Sequence, residues 1–227
     1  ASKRLARKAL ALIDRKPLIQ WVYHRAIASK AKSVIIATDS EEIASAARSF
    51  GAIVELTNED HKSGTDRIFE VCDRLNWDDD QVVVNLQGDN PLMPPENINQ
   101  IAQMMNDCDI ATLSAPIQDH EIIDPNVVKV STDPSSNDAL FFKRNINSGD
   151  FKKNLGRHIG IYAYNVASLK RFSLSPQSED EKKEKLEQLR AYSLDMRIKV
   201  EQAQLIPGPD VDTQDDLKLV QSILQND

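Results

Sequence analysis

Gln81-Val-Val-Val-Asn-Leu-Gln-Gly-Asp-Asn-Pro-Leu-Met93 is the stretch of this chain that decides its fold. The β-branched run Val82–Val84 predicts a buried strand, and Gly88 ends it. Asp89 therefore follows the strand directly, and Pro91 keeps the backbone from resuming a sheet ladder. Because ligands of open α/β sheets bind beyond the carboxyl ends of the strands, Asp89 is placed to hold a cation with its bound phosphates. Gly-Asp-Asn-Pro is also ordinary turn chemistry, so this segment alone leaves a purely structural role for Asp89 equally open.

The composition is that of a globular protein with an acidic balance. The chain has 227 residues and a formal charge of −7, which argues against nucleic acid as its principal partner. No apolar run approaches the roughly 20 residues of a membrane span, and no signal-peptide core follows the basic start. The expectation is a cytoplasmic protein without a membrane or nucleic-acid partner. Cys72 and Cys108 lack metal-ligand or redox spacing and are expected to be buried free thiols.

Strand and helix patterns alternate through the first half of the chain. Residues 33–38 predict a buried strand, and Asp39 with Glu42 predicts the cap of the helix that follows. Ser63-Gly-Thr-Asp66 predicts the start of another helix. Alternation at this short spacing favours parallel βαβ units, so the predicted class is α/β.

The pattern changes after about residue 115. Residues 127–130 and 159–164 alternate like strands with one exposed face, and 178–194 predict a strongly charged helix. Thr213 with Asp216 predicts the cap of a final helix. The whole pattern predicts a mixed, mainly parallel sheet with an inserted β-rich lobe at about 115–200, within a single domain 1–227.

Four features point to phosphate chemistry, although each has an ordinary structural explanation alone. A basic stretch near the N-terminus is usually just solvated. Ser63-Gly-Thr-Asp-Arg67 places backbone N–H groups and hydroxyls at a helix N-terminus, where anions bind. Asp89 lies in a turn, and Asp212 directly precedes a helix cap. The basic residues are Arg4, Arg7 and Lys8.

A second group of candidate residues lies in the predicted lobe. Arg144 has the geometry to clamp a carboxylate, and His158 can donate to a sugar oxygen or titrate. Tyr162 stands at even spacing from His158, so both share one strand face, as they also would on a half-buried structural sheet. Glu187 and Arg190, three positions apart, match a surface helix pair equally well. The group also contains Gln188.

Together these segments resemble the 3-deoxy-manno-octulosonate (Kdo) cytidylyltransferases, the CMP-Kdo synthetases. The matching motifs follow the family's order and span nearly the whole chain. They are Ala-Ser-Lys-Arg-Leu-Ala-Arg-Lys (1–8), Ile-Ala-Thr-Asp (36–39), Ser-Gly-Thr-Asp-Arg (63–67), Val-Asn-Leu-Gln-Gly-Asp-Asn-Pro (84–91), Ala-Leu-Phe-Phe-Lys-Arg (139–144), Arg-His-Ile-Gly-Ile-Tyr-Ala-Tyr (157–164), Lys-Leu-Glu-Gln-Leu-Arg (185–190) and Val-Asp-Thr-Gln-Asp-Asp-Leu (211–217).

The resemblance implies a Rossmann-like nucleotidyltransferase sheet and a homodimer whose lobe binds sugar and contributes to dimerisation. It implies that CTP activates Kdo to CMP-Kdo with release of pyrophosphate, for lipopolysaccharide or capsule synthesis, with Mg²⁺ as cofactor. The substrates are then CTP and an acidic 3-deoxy sugar.

The resemblance also implies roles for individual residues. Asp89 and Asp212 match the Mg²⁺ ligands, and with Lys8 they form the implied catalytic set. The implied CTP-binding residues are Arg4, Lys8, Ser63, Gly64, Thr65 and Gln87. The implied sugar-binding residues are Arg144, His158, Tyr162, Glu187 and Gln188.

The chain departs from the family pattern in several places. The usual Leu-Pro-Gly-Lys-Pro-Leu is replaced by Leu5-Ala-Arg-Lys-Ala-Leu10, which removes a glycine suited to close backbone approach to phosphate. Asn90 replaces the commoner acid or Gln, and the segment 145–149 is shorter and neutral. A strand ending in Ala-Arg is expected upstream of Ala1. The altered positions in the glycine loop are Ala6, Arg7 and Ala9.

These departures leave three alternatives to a Kdo enzyme. In the first, the acceptor is a modified Kdo such as the 8-amino-8-deoxy sugar, because the changed segment follows Arg144, where the sugar would be sensed. In the second, the acceptor is another nonulosonic acid. In the third, the protein is a homologue that binds nucleotide, or assembles with a partner, without turnover.

Overall fold

The computed structural model describes residue 5 and residues 7–61, 63–146 and 154–225. The chain divides into two compact units: Ala1–Asn76, Leu86–Asn99 and Leu205–Asp227 form the first, and Trp77–Asn85 and Gln100–Gln204 the second. Arg4 and Ala6 lie outside the described residues. The single domain and its sugar-binding lobe stay predictions; the segment 115–200 falls inside the second unit.

The first unit contains a hairpin, a parallel strand pair and four complete helices within the described residues, besides a short 3-10 helix at Lys8–Leu10. Its strands are β1 (Leu12–Ile13), β2 (Lys16–Pro17), β3 (Ile35–Thr38) and β4 (Ile53–Leu56); its helices are α1 (Leu18–Ile27), α2 (Glu41–Ser49), α3 (Gly64–Arg74) and α9 (Gln214–Leu224). The division between the units falls within β5 (Val82–Leu86) and α4 (Pro95–Gln103).

The predicted βαβ unit is confirmed by β3 and β4, which pair in parallel on either side of α2 in the sequence. The predicted cap of α2 is wrong by one residue. Ser40, not Asp39, is the N-cap, because its hydroxyl accepts the hydrogen bond from the Ile43 amide. A side chain one position earlier cannot reach that amide while the helix starts at Glu41.

The second unit is built on a six-stranded sheet in the order β10–β6–β9–β7–β8, with β5 also pairing with β9. Only β6 and β10 pair in parallel among the ladders with a defined register; β9 pairs antiparallel with β6 and β7, and β7 antiparallel with β8. The α/β class is therefore confirmed, whereas a mainly parallel sheet is not. The strands are β6 (Ile110–Pro116), β7 (Lys129–Thr132), β8 (Ala139–Lys143), β9 (Leu155–Asn165) and β10 (Ile198–Gln202).

The charged helix predicted at 178–194 is two shorter helices, α7 (Glu179–Glu184) and α8 (Gln188–Ser193). Lys185 ends α7 in the left-handed conformation with a φ of +55°, which an α-helix cannot continue through. The other helices of this unit are α5 (Asp119–Ile123) and α6 (Val166–Ser173).

One hydrophobic core of the first unit packs β1, α1 and α9 around Ile13, Leu18 and Val220, all of which are fully buried. Within the described residues, no helix is long and apolar enough to cross a membrane. Both cysteines are free, Cys72 buried and Cys108 half-buried, and burial raises the pKa of each thiol to about 11. They are therefore protonated at neutral pH, as expected of structural thiols.

Candidate active site

Three charged side chains of the first unit meet although they are distant in the sequence. The Lys8 ammonium donates to Asp89 Oδ2 at 2.8 Å and to Asp212 Oδ1 at 3.0 Å. Lys8 and Asp89 are mostly buried, and Asp212 is 41% exposed. Two carboxylates therefore converge on one cationic atom.

Direct contacts between two loops explain why Asp89 and Asp212 meet. The Val211 amide donates to the Asp89 carbonyl at 2.9 Å, one residue before Asp212. A Cβ on Gly208 would lie only 2.5 Å from the Leu92 side chain, so glycine is needed for this approach. Asn90, the departure beside Asp89, adds a side-chain amide hydrogen bond to Asp210 on the second loop.

The start of α9 fixes the backbone that carries Asp212. The predicted capping box is confirmed: Thr213 Oγ1 accepts from the Asp216 amide, and Asp216 accepts from the Thr213 amide at 2.8 Å. Asp216 also accepts from the Asp212 amide at 3.0 Å. Asp212 is thus held directly before the N-cap of α9 by a bond to the first turn of that helix.

The electrostatics of this cluster favour a cation at its centre. Burial lowers the pKa of Lys8, but the charges and hydrogen bonds of Asp89 and Asp212 outweigh burial and leave it above its ordinary 10.5. Two carboxylates at one point are also donors that Mg²⁺ uses together with water and phosphate oxygens. Within the described part of the chain there is no cluster of three or more metal-ligating side chains. The Asp89 and Asp212 carboxylates are thus ligands of the kind that a magnesium ion would use.

The predicted nucleotide residues of the first unit lie at the start of α3 and after β5. Ser63 is the N-cap of α3, and its hydroxyl accepts from the Asp66 amide at 3.2 Å. Thr65 is buried, and a Cβ on Gly64 would meet open space. The Gln87 side chain is exposed. Gly64 therefore leaves room beside the helix N-terminus, where a polar ring edge or an anion binds well.

The altered glycine loop keeps the backbone shape that a glycine adopts easily. Arg7 stands where the family pattern has glycine, and its φ of +54° is left-handed. Its guanidinium pairs with Glu42 at the start of α2. Ala9 is half-buried in the 3-10 helix that carries Lys8. The substitution therefore changes the side chain at this position without preventing Lys8 from reaching both carboxylates.

We expect Arg7→Gly to be more stable than Arg7→Ala by about 1 kcal/mol, because alanine in the left-handed region costs roughly that much and glycine does not. Both variants lose the pair with Glu42, so the comparison isolates the backbone. Urea unfolding of the two variants measures the difference. Equal stability would show that residue 7 does not adopt this conformation in solution.

Arg144 in the second unit has only backbone carbonyls as hydrogen-bond partners within the described residues. Its guanidinium lies 3.3 Å from the Glu184 carbonyl, 3.4 Å from that of Pro125 and 3.5 Å from that of Asn126, all long contacts. A half-buried guanidinium held this weakly retains the capacity to bind a carboxylate through two parallel hydrogen bonds.

Lys129 was missed by the sequence analysis, which put it on a strand with one exposed face. It is fully buried, and its ammonium donates to the Asp124 carbonyl and, at 2.7 Å, to the Arg144 carbonyl. Burial lowers the pKa of Lys129, and the Arg144 charge lowers it further. Lys129 therefore fixes the backbone of Arg144. Strand alternation carries no signal for this role, because a lysine at that spacing normally marks the solvent side.

His158 and Tyr162 share one face of β9, as predicted, with ring centroids 5.5 Å apart. The Gln188 amide donates to the Tyr162 hydroxyl at 2.5 Å, which joins α8 to this face. Glu187 is half-buried, and burial followed by the Tyr164 and Glu187 charges raises the pKa of Tyr162. The structure thus brings His158, Tyr162, Glu187 and Gln188 together, within the second unit.

His158 is expected to make stability depend on pH. Burial lowers its pKa from 6.5 to about 3, so the unfolded chain binds a proton between these values and the folded chain does not. The stability associated with neutral His158 is therefore complete above pH 6.5 and is lost as the pH falls toward 3. Between pH 7.5 and 5, the wild type should lose about 1–2 kcal/mol more than His158→Gln, measured by urea unfolding. Identical pH dependence of the two proteins would contradict the lowered pKa.

Arg190 is not at the surface, where a surface helix pair with Glu187 would place it. Arg190 is only 2% exposed, and it binds Glu181 of α7 through Nε to Oε2 at 2.8 Å and Nη2 to Oε1 at 2.6 Å. The guanidinium also lies 4.4 Å from the centre of the Phe172 ring. Lys185 separates α7 from α8, so Arg190 and Glu181 lie on two different helices.

Known proteins match the chain over almost its whole length. A sequence profile described as cytidylyltransferase matches residues 1–198. A 3-deoxy-manno-octulosonate cytidylyltransferase of Thioalkalivibrio sulfidiphilus is 43% identical over 99% of this chain and 95% of its own length. One from Francisella tularensis subsp. holarctica is 45% identical over 98% of this chain and 94% of its own length. The chain belongs to the 3-deoxy-manno-octulosonate cytidylyltransferase family. It is therefore an enzyme of the nucleotidyltransferase class.

Comparison with solved structures supports the same family assignment. A CMP:2-keto-3-deoxy-manno-octonic acid synthetase complexed with CTP superimposes with a TM-score of 0.90 at 36% identity, over 100% of this chain and 95% of the other. A 4-diphosphocytidyl-2C-methyl-D-erythritol synthase has a TM-score of 0.65 at 11% identity, over 97% of this chain and 96% of that one, which shows the shared fold alone. The predicted nucleotidyltransferase fold is confirmed, and the enzyme names of the relatives support catalysis over the non-catalytic alternative.

Proposed function

We propose that this protein transfers the cytidylyl group of CTP to the anomeric hydroxyl of the acid sugar Kdo. The observation that carries the proposal is the convergence of Asp89 and Asp212 on the Lys8 ammonium. The relatives' printed names supply the substrates, since they are Kdo cytidylyltransferases and one related synthetase structure contains CTP.

The reaction is a displacement at phosphorus. The anomeric oxygen forms a bond to the α-phosphorus, the bond from that phosphorus to the β-phosphate oxygen breaks, and pyrophosphate leaves with the electron pair. The hydroxyl proton passes to solvent. Such a transfer needs positioning and charge neutralisation more than covalent help from the protein.

Lys8 and the two aspartates meet the electrostatic demand. The Lys8 ammonium, whose pKa is raised above 10.5, is charged at neutral pH and can neutralise the triphosphate. Asp89 and Asp212 would hold Mg²⁺, which supplies phosphate charge neutralisation and increases the acidity of the sugar hydroxyl. Arg4, outside the described residues, is proposed as a further triphosphate ligand.

The base and ribose of CTP are proposed to bind at the start of α3. Gly64 leaves open space there, and Ser63 and Thr65 supply polar groups beside the helix N-terminus. The exposed Gln87 amide is proposed as a further contact to the nucleoside.

The acid sugar is proposed to bind residues of the second unit. Arg144 is proposed to bind the carboxylate of the sugar. Its contacts with backbone carbonyls are 3.3 Å or longer, so the N–H groups of the guanidinium remain available to the substrate. His158, Tyr162, Glu187 and Gln188 would contact the sugar hydroxyls. A neutral hexose would not require the arginine.

The biological setting is proposed from the same resemblance. We infer a cytoplasmic homodimer that supplies CMP-sugar for lipopolysaccharide or capsule synthesis and has no nucleic-acid or membrane partner. The formal charge of −7 supports the exclusion of nucleic acid as principal partner. Sedimentation of the purified protein tests the dimer, which a monomer at micromolar concentration would contradict.

Release of pyrophosphate from CTP tests the function and the acceptor together. Kdo, 8-amino-8-deoxy-Kdo and sialic acid are compared at equal concentration with Mg²⁺, and CTP binding is measured separately by calorimetry. We expect the largest kcat/KM with Kdo. Preference for the 8-amino sugar or for sialic acid would assign the enzyme to that acceptor instead. CTP binding without release from any sugar would overturn the proposed reaction.

A further inference from the structure

Thr112 lies where the pairing of β6 with β9 shifts register. Thr112 pairs with Tyr162, but its neighbour Leu113 pairs with Ile159, so two residues of β9 are passed over. The Thr112 hydroxyl oxygen lies 2.7 Å from the Ile161 carbonyl and 3.2 Å from the Ile159 carbonyl. Thr112 is fully buried, and its hydroxyl bonds the carbonyls at the bulge.

The same oxygen lies 2.9 Å from Nε2 of His158. A hydroxyl has one hydrogen to donate, and a carbonyl can only accept. The hydrogen of Thr112 is therefore committed to the strand carbonyls, with that of Ile161 the nearest. Toward His158, the Thr112 hydroxyl can therefore only accept a hydrogen bond through a lone pair of Oγ1. The His158 Nε2 atom must then carry a hydrogen and donate it.

This assignment determines what the other ring nitrogen can do. In a neutral imidazole with its hydrogen on Nε2, Nδ1 is a hydrogen-bond acceptor. Burial lowers the pKa of His158 to about 3, so the ring is neutral at pH 7. Among the described residues the His158 ring has no hydrogen-bond partner besides Thr112, and the Phe142 ring meets it edge-on with centroids 5.2 Å apart. Nδ1 thus retains its lone pair on a ring whose position is fixed by packing.

Nδ1 of His158, as an acceptor, can bind only a group that donates a hydrogen. An acid sugar has hydroxyl groups, which can donate, and a carboxylate, which cannot. His158 is therefore suited to a sugar hydroxyl, whereas Arg144 is suited to the carboxylate. The Thr112 contact argues against donation to a sugar oxygen, because the Nε2 hydrogen is already bonded, and burial argues against titration near neutral pH, because it lowers the pKa to about 3. A site with a fixed acceptor rejects an analogue that lacks the matching hydroxyl.

The geometry points to Thr112 as a positioning residue that fixes His158 in the Nε2–H tautomer and leaves Nδ1 as an acceptor for a hydroxyl of the acid sugar. The tautomer assignment stands on the contacts alone, whereas the sugar hydroxyl rests on the proposed function. Thr112 itself contacts no substrate in this account.

Nitrogen NMR of the full chain labelled with ¹⁵N-histidine tests the tautomer without any turnover. The chain has four histidines, and the spectrum of His158→Gln identifies the signals of His158 by their loss. We expect wild-type His158 to show a protonated Nε2 and an unprotonated Nδ1 at pH 7. Thr112→Val should give a mixture of tautomers, and Thr112→Ser, which keeps the hydroxyl, should restore the wild-type pattern. A protonated Nδ1 in the wild type, or an unchanged tautomer in Thr112→Val, would overturn the proposal.

Kinetics test the sugar contact. Thr112→Val should raise KM for Kdo about tenfold, the effect of one weakened hydrogen bond, with KM for CTP unchanged and Thr112→Ser close to wild type. Equal changes in both KM values would overturn the assignment to the sugar. If no sugar supports pyrophosphate release while the wild-type spectrum shows the Nε2–H tautomer, the proposed function fails and the tautomer assignment stands.

Discussion

Asp89→Ala should lower turnover about 1,000-fold while the protein remains folded. The substitution removes one of the two carboxylates that converge on Lys8 and that would hold the magnesium ion. A loss of this size corresponds to about 4 kcal/mol of transition-state stabilisation. Folding should be largely unaffected, because Asp89 is not fully buried and Lys8 keeps its hydrogen bond to Asp212. Steady-state kinetics with CTP and Kdo, together with a thermal melt, measure both effects.

Asp215→Ala provides the matched control. Asp215 lies in the first turn of α9, close in sequence to Asp212, but its side chain is 91% exposed and pairs only with Lys218 among the described residues. Its loss should leave kcat within a factor of about two, as expected for an exposed pair. Activity of Asp89→Ala near that of this control would exclude the metal role.

Glu181→Ala should be the most destabilising of the single substitutions considered. It removes a carboxylate that binds Arg190 through two hydrogen bonds, and the guanidinium is only 2% exposed. Breaking a buried pair on one side costs about 3–5 kcal/mol, because the remaining charge stays desolvated. For a chain of this length, that corresponds to a fall in Tm of about 10 °C. Differential scanning calorimetry measures the fall.

Glu179→Ala controls for the loss of a carboxylate from the same helix. Glu179 is 90% exposed and pairs with Lys182 at the surface, so its removal should not change Tm measurably. A small effect of Glu181→Ala, equal to that of this control, would show that the pair with Arg190 is not buried in solution. Because α8 also carries Gln188, Glu181→Ala should raise KM for the sugar as well.

Features that depend on neighbouring residues could be predicted from the sequence. The strand that precedes Asp89, the Ser63 cap of α3 and the capping box of Thr213 with Asp216 were all predicted, because each arises within a few residues of backbone. The two aspartates could be singled out by their positions after a strand and before a helix. Their contact with one lysine could not be derived locally, because it depends on the Val211–Asp89 hydrogen bond between loops.

Features that depend on distant partners were missed. Arg190 was predicted to be exposed from its spacing to Glu187, whereas it is buried and also binds Glu181, which lies beyond the break at Lys185. Lys129 was predicted to be exposed, because the alternation of polar and apolar residues indicates on which face of a strand a side chain lies. It does not indicate whether other residues cover that face. Antiparallel pairing of β9 with both β6 and β7 also depends on long connections that the sequence pattern does not specify.

Following the α-phosphorus of CTP tests the central claim most directly. The protein is incubated with α-³²P-labelled CTP, Kdo and Mg²⁺, and the products are separated and counted. We predict that the label moves from CTP into a CMP-sugar in a one-to-one ratio with released pyrophosphate, and that Asp89→Ala slows this about 1,000-fold. Label that stays in CTP, or that appears as free CMP without a sugar product, would contradict the account.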